Sequence, residues 1–444
     1  MCTSARVTTR SAHDDRADLF SARVGPGAHM SEADVIVVGA GLAGLAAARL
    51  LTAAGRSVIV LESAEAVGGR VRSEVIDGLT LDRGFQLLNP AYPEARRVLD
   101  LDALQLRPFI PGVLLTQGDE RHLIADPRRR PSALFSAARF TPGTRVEQMR
   151  FAAYAAHLAS GDGRRIDRGP DSAIGDRLAI FGALSDQVLA PFLAGVLFDD
   201  SMTTSRRFAE FLLRSFILGT PALPAMGMQA IPDQLATGLD VRTRTSVVDV
   251  SPTSVTTLDG QLRARAVVVA TDPATAGRLV PGLAVPTMRS GTTWWHLADM
   301  PGAALTGGLP VLVVDPARRG PLVNTVVVSN AAASYLGGAG RGERALVAST
   351  ALGAGRPGTP ATPDEATVRR HLGVLHGVNV DHWETVAVQR ISATVPAVPP
   401  GTSFRQTPRI GGIFVAGDHR DTASIQGALV SGRRIAHAVL EALA

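Results

Sequence analysis

The chain has 444 residues, 45% of them apolar and 19% charged, which excludes wholesale disorder and is enough for two or three domains with a large core. A single cysteine, Cys2, excludes an internal disulfide framework, a CxxC redox pair, an iron–sulfur cluster and a zinc finger. There is no lysine, so every one of the 45 basic side chains is arginine, and a net charge of only +5 does not point to nucleic acid.

Residues 1–33 are mixed in charge and have no apolar segment of the secretory kind, so they read as a disordered lead, with Met30 a plausible true start and the cytosol the default location. No stretch reaches the ~18 uncharged apolar residues of a membrane-crossing helix, and the longest apolar run is Leu189 to Phe198. Val35-Ile36-Val37-Val38 is a short β-branched run suited to a buried parallel strand. It ends in Gly39-Ala40-Gly41-Leu42-Ala43-Gly44. An Ala- and Leu-rich helix over Leu45 to Ala54 follows, then a strand at Ser57 to Leu61 that closes on Glu62. Strand, glycine turn, helix and strand in about thirty residues make a βαβ unit.

Ten arginines face four acidic residues from Arg121 to Arg168, including Arg128-Arg129-Arg130. This is either a solvated surface or a patch toward anionic lipid or a polar substrate end. Residues 131–220 read as mostly helical. Within them Phe208, Phe211, Leu212 and Phe216 have helical spacing, for a core-facing helix or one that docks peripherally on a membrane. Strands are expected at Val247 to Val250, Ser254 to Leu258 and Ala266 to Ala270, and hairpins over 290–350 and 383–398. Trp294, Trp295 and His296 fall on one such strand, where alternation sends one indole to the core and the other to a pocket wall or further packing. His371 and His376 are five apart, a poor metal geometry. A last buried strand, Gly412 to Ala416, runs through Gly417-Asp418 into a helix over Gly427 to Ala442.

The chemistry rests on Gly39, Gly41 and Gly44. They form GxGxxG between a strand and a helix, where the backbone and the helix N-terminus receive a pyrophosphate. Glu62, at the end of the second strand, accepts ribose hydroxyls and repels a 2′-phosphate. Together they indicate an adenine dinucleotide other than NADP. Gly68-Gly69-Arg70-Val71-Arg72-Ser73 offers a second close backbone approach and an arginine able to clamp a phosphate. No second GxGxxG follows a strand, so a separate NAD(P)H domain is not expected. HExxH and GxSxG are absent.

The run GAGLAGLAAARLL…VIVLE…VGGRVRS, with FVAGDHRDTASIQGALVSGRRIA at the other end, resembles the flavin amine oxidase, phytoene desaturase and protoporphyrinogen oxidase superfamily. AMGMQAIPDQLA and VVVATDP are similar to runs in the same places. The resemblance implies an α/β fold: a Rossmann-like FAD-binding domain from 34–105, 225–290 and 405–444, and an inserted α+β substrate domain from 106–224 and 291–404. It implies non-covalent FAD, held at the Gly39 turn and Glu62, along Gly68, Gly69 and Arg70, by the Val247 backbone, by Gly417 and Asp418, and by N–H groups near Gln426 and Gly427. On the substrate side it implies Phe85 and Gln86 near the flavin; His419, which follows the Gly-Asp turn and so can reach the flavin edge, and Trp295 are further candidates from the residues themselves. His419 is either a proton handler or a structural histidine.

Two departures narrow the reaction. Many amine oxidases of this superfamily place a lysine near flavin N5, and this chain has none. Many use an aromatic pair against the flavin, whereas Thr422-Ala423-Ser424-Ile425 holds no aromatic. The expected activity is therefore dehydrogenation or desaturation of a small apolar organic substrate by hydride transfer to flavin N5, with oxygen, a quinone or a carrier as electron acceptor. The alternatives are an amine oxidase releasing hydrogen peroxide, a carotenoid-type isomerase, and a non-catalytic flavoprotein scaffold.

Overall fold

The computed structural model describes residues 32–118, 120–125, 142–161, 163–338, 343–353 and 362–444. The lead with Met30 and Cys2, and the run Arg128-Arg129-Arg130, lie outside the described residues.

Strand β1 (Glu32–Val38), helix α1 (Leu42–Ala53) and strand β2 (Val58–Leu61) realise the βαβ unit. Val35, Ile36 and Val37 are fully buried, as a strand covered on both faces must be. Helix α1 begins directly after Gly41, three residues earlier than Ala/Leu content suggests, because the glycine turn itself feeds the first helical turn. Five strands run parallel, in the spatial order Ile413–Val415, Gly260–Val269, β1, β2 and Asp240–Arg242. Strands far apart in sequence thus build one Rossmann-like sheet. The hairpin Val247–Val250 and Ser254–Thr257 continues it antiparallel from the start of Gly260–Val269.

A second sheet of seven strands follows the order Glu384–Pro396, Met288–Ala298, Ala345–Leu352, Leu322–Val327, Leu312–Val314, Gly112–Gln117 and Glu120–Ala125. The strand Met288–Ala298 runs through the expected domain boundary at 290 without a break. Helices Arg145–Ala159 and Arg206–Leu218 pack with Ile174–Leu197 around a separate core holding Phe181, Leu193 and Leu213.

Two apolar helical segments bear on membrane contact. Ile174–Leu197 spans 24 residues with mean hydropathy 1.6, long and apolar enough by length and composition to cross a membrane. In this fold it is interrupted. Gly182 takes φ +50°, and Ser185–Leu189 forms a π-helical turn. The second segment is Arg206–Leu218, where the core-facing reading holds. Its three arginines are committed inward: Arg206 to Glu210 at 2.7 Å, Arg207 to Asp171 at 3.1 Å, and Arg214 to the Gly161 carbonyl at 2.7 Å. Phe208 and Leu212 are buried. The helix is a core element, and the lipid-docking alternative loses the cations it needs.

Asp82, at the end of strand Leu79–Asp82 in a separate hairpin with Ser73–Ile76, is a fully enclosed carboxyl. Its Oδ1 accepts from Ser73 Oγ at 2.5 Å and from the Met228 amide at 2.9 Å, and its Oδ2 from Tyr335 at 2.8 Å. Burial outweighs these three bonds and pushes its pKa up to about 6. In the unfolded chain the group loses its proton near pH 4. Between about pH 4 and about 6 the folded state therefore binds more protons, and this group's contribution to stability falls as pH rises, by roughly 3 kcal/mol in all. Asp82→Asn is expected to flatten that part of the stability profile, read as the thermal midpoint of the FAD-loaded protein from pH 5 to 7. Identical slopes for the two proteins would contradict the assignment.

Candidate active site

The Gly39 turn is shaped by its neighbours. Gly39 has φ +102°, and a Cβ there would stand 2.8 Å from the Ala270 carbonyl oxygen. A Cβ on Gly44 would stand 2.0 Å from the Gly39 carbonyl oxygen, so helix and turn touch backbone to backbone. Gly41 faces the other way, with nothing within 4 Å of a Cβ. The Gly68-Gly69 turn lies beside it: the Gly68 amide donates to the Ala40 carbonyl at 2.8 Å. No side chain caps α1 at Gly41, so its first N–H groups stay available to an anion. These two adjoining glycine turns leave a cradle that a Cβ would narrow, and its donors fit a diphosphate.

Glu62 is buried at the end of β2. It accepts from the Ala40 amide through Oε2 and from the Ala64 amide through Oε1, both at 2.8 Å. The carboxylate is thereby locked beside the turn, with lone pairs left over for ribose hydroxyls. The Thr245 amide donates to the Glu62 carbonyl at 2.8 Å, which brings the backbone leading into Val247 alongside.

The carboxy-terminal turn reaches the same place. Helix Ile425–Leu443 crosses α1 closely, since a Cβ on Gly432 would meet the Ala43 carbonyl at 2.3 Å. Ser431 Oγ accepts from the Gly417 amide at 3.1 Å. Asp418, buried, pairs with Arg70 at 2.5 Å across 348 positions of sequence, and Arg70 also donates to the Thr394 carbonyl at 3.1 Å. One ion pair therefore ties the amino-terminal and carboxy-terminal segments at the cradle.

His419 is placed differently from a proton handler at an open edge. Its ring packs over Gly417, and both ring nitrogens are enclosed without a hydrogen-bond partner, Nδ1 standing 4.0 Å from Asp418 Oδ1. Burial holds its pKa down to about 4, so the ring is neutral at neutral pH. Gln426 spends its side chain on helix α2 (Pro93–Val98), where its Oε1 accepts from the Glu94 amide at 3.0 Å. The Gly427 amide is also occupied, because Ser424 caps the helix and accepts from it at 3.1 Å. The open donors of this helix end are the amides of Ile425 and Gln426.

On the substrate side, Gly84 takes φ +82° and its amide donates to Gln389 Oε1 at 2.8 Å. Phe85 stands edge-on to Phe109, with ring centroids 6.0 Å apart. Gln86 donates to the carbonyls of Arg70 at 2.8 Å and Arg83 at 3.0 Å, which ties this turn to the Arg70–Asp418 pair. Trp295 is corrected as a pocket wall: it is fully buried, and its indole N–H donates to Gln389 Oε1 at 3.2 Å. Trp294 is buried in a separate core, stacked on His296. His371 accepts from the Leu322 amide and contacts Asp315, so it is structural. No cluster of metal ligands occurs among the described residues. Ser424 and Gln389 are the residues that sequence reading missed. Ser424 carried the ordinary cap signal of a serine before an apolar helix.

A family model described as flavin containing amine oxidoreductase matches residues 42–296 and 321–440. Hydroxysqualene dehydroxylase of Rhodopseudomonas palustris is 28% identical over 453 residues, covering 92% of this chain and 98% of that protein. Similarity to putrescine oxidase of Kocuria rosea is higher, 52% over 69 residues, but spans only 16% of this chain and 14% of the other. The structure of cyclohexylamine oxidase from Brevibacterium oxydans superposes with a TM-score of 0.67 at 16% identity, covering 93% of this chain and 100% of that one. With a Rossmann-like sheet, a diphosphate-shaped cradle and this match over most of its length, the chain belongs to the flavin-containing amine oxidoreductase family and is an FAD-dependent oxidoreductase.

Proposed function

We propose that the chain dehydrogenates or desaturates an apolar organic molecule, and that simple amine oxidation is not its reaction. Bound FAD supplies a two-electron centre that accepts a hydride at N5. The residues that would hold it are Gly39, Gly41, Gly44 and the start of α1 at the diphosphate, Glu62 at the adenosine ribose, and the backbone around Val247 at the adenine. Gly68, Gly69, Arg70, Gly417 and Asp418 would lie along the diphosphate and ribityl chain. The open amides at Ile425 and Gln426 would face the N1/O2 side, where a helix N-terminus stabilises negative charge.

The observation that carries this reading is the apolar packing around the Gly84 turn. A Cβ on Gly84 would meet Ile391 at 3.1 Å, and one on Gly291 would meet the Phe198 ring at 2.6 Å. Phe85 completes it. These groups offer packing and exclusion of water, and no carboxylate among them can hold a substrate ammonium. The chain also has no lysine to place near N5. In this reading one substrate carbon would give a hydride to bound FAD and its neighbour a proton to solvent, and oxygen, a quinone or a carrier would take up the two electrons afterwards.

The full-length similarity to hydroxysqualene dehydroxylase favours a second reading of the same site. In it the same residues would hold FAD that an external two-electron donor has reduced, and the group would supply the hydride that replaces a hydroxyl, with a proton from solvent completing the water that leaves. A panel separates the two. Oxidised holoprotein is mixed anaerobically with a polyisoprenoid alkene, a polyisoprenoid alcohol, putrescine and cyclohexylamine. Flavin bleaching by the alkene supports the first reading. Reoxidation of pre-reduced holoprotein by the alcohol supports the second. Bleaching by either amine, with peroxide formed in air, overturns both.

A further inference from the structure

Gln389 lies on strand Glu384–Pro396, paired with Thr293 of Met288–Ala298. Residues two apart on a strand share a face. Gln389 and Ile391 therefore look the same way, toward the Gly84 turn that both of them touch. The amide of Gln389 is fixed in one orientation. Its oxygen accepts two N–H groups, from Gly84 at 2.8 Å and from the Trp295 indole at 3.2 Å, so a flipped amide would set donor against donor. The other end of the same group is left without a partner: Nε2 is buried and makes no hydrogen bond. An enclosed unpaired donor is unfavourable, and an apolar side chain of similar length would avoid it. That cost is borne where one oxygen holds a turn of the cofactor segment and a fully buried indole of the second sheet at once.

The connection continues past the turn. Phe85 follows Gly84, and Gln86 donates to the Arg70 carbonyl. Arg70 holds Asp418, and its guanidinium returns to the Thr394 carbonyl on the strand that carries Gln389. Gln389, the Gly84 turn, Gln86, Arg70 and Thr394 thus close a ring of hydrogen bonds between the second sheet and both cofactor turns.

We propose that Gln389 is a positioning residue. By accepting from Gly84 and Trp295 together, it sets the Phe85 turn relative to the Arg70–Asp418 pair and so fixes where a substrate carbon sits relative to the cofactor. This assignment rests on the proposed function for the substrate and on the FAD assignment for the cofactor, and its test keeps them apart. Gln389→Glu keeps the shared acceptor and removes the unpaired donor, whereas Gln389→Leu removes the acceptor.

The three proteins are loaded with FAD. The visible circular dichroism of the bound flavin is recorded, FAD affinity is titrated, and kcat and KM are measured with whichever compound of the panel reacts. Gln389→Leu is expected to alter the flavin dichroism and to lose about 10-fold or more in kcat with little change in KM, the signature of lost orientation. Gln389→Glu is expected to keep the wild-type dichroism and most of kcat. Should Gln389→Leu fail to fold, Trp295→Phe removes one of the two donors, and the smaller dichroism change expected of it serves instead. Unchanged dichroism in Gln389→Leu, or in Trp295→Phe where that stands in, would overturn the proposal. So would equal impairment of Gln389→Glu and Gln389→Leu. Because the dichroism needs only FAD, it stays readable even if no compound of the panel reacts.

Discussion

Gly44→Ala is expected to purify with less than about a tenth of the wild-type flavin, together with a lower thermal midpoint. The new methyl would stand 2.0 Å from the Gly39 carbonyl oxygen and 3.2 Å from the Ala270 side chain, both fixed by the parallel sheet. Strand and turn cannot yield, since Gly39 is itself pressed on Ala270 and the sheet is buried on both faces. The helix must lift instead, which carries its N–H groups away from the diphosphate. Overpacking of a tight contact costs typically 1–3 kcal/mol, and each 1.4 kcal/mol lost from binding is a factor of ten in affinity. The ratio of visible to ultraviolet absorbance after gel filtration reads the occupancy. Full flavin content in this variant would mean that the turn does not hold the cofactor.

Arg70→Leu is expected to have the second largest effect, for a different physical reason. It leaves the Asp418 carboxylate, only 6% exposed, without its cation and next to the place assigned to a diphosphate. A buried charge stripped of its partner is strongly unfavourable, and two negative groups then face each other across the cradle. The loss should show as FAD affinity reduced at least about 10-fold. Asp418→Asn in the Arg70→Leu background should recover part of the stability, since the stranded charge is gone, while affinity stays low. Equal FAD affinity in wild type and Arg70→Leu would remove Arg70 from the cofactor site.

The amino-terminal half of the site was legible because its determinants are local. A buried β-branched run, three glycines at fixed spacing and an acidic residue closing the next strand act within thirty positions, where chain order is nearly spatial order. The GD turn and its helix were legible as elements for the same reason. Their partners were not. The Arg70–Asp418 contact spans 348 positions, and nothing in either segment names the other without the resemblance to known flavoproteins. Gln389 gave no signal, because a lone glutamine in an alternating strand looks like any solvent-facing residue, and its contact with Gly84 spans 305 positions.

Side-chain direction was the other gap. His419 follows the Gly417-Asp418 turn in sequence, yet its ring folds back over Gly417, and burial keeps it neutral. Trp294 and Trp295 alternate as a strand requires, but both faces of that strand are covered, so alternation assigns each to a different core and neither to an open wall. The segment Ile174–Leu197 has the length and mean hydropathy of a spanning helix, yet it carries Asp176, Arg177 and Asp186 and is broken by a glycine at positive φ.

The most direct test is to purify the full chain, denature it, and identify and count what it releases. The account predicts a yellow protein that gives up about one FAD per chain without proteolysis, and that rebinds FAD after the cofactor is stripped. A colourless protein that takes up no FAD when it is supplied would contradict it.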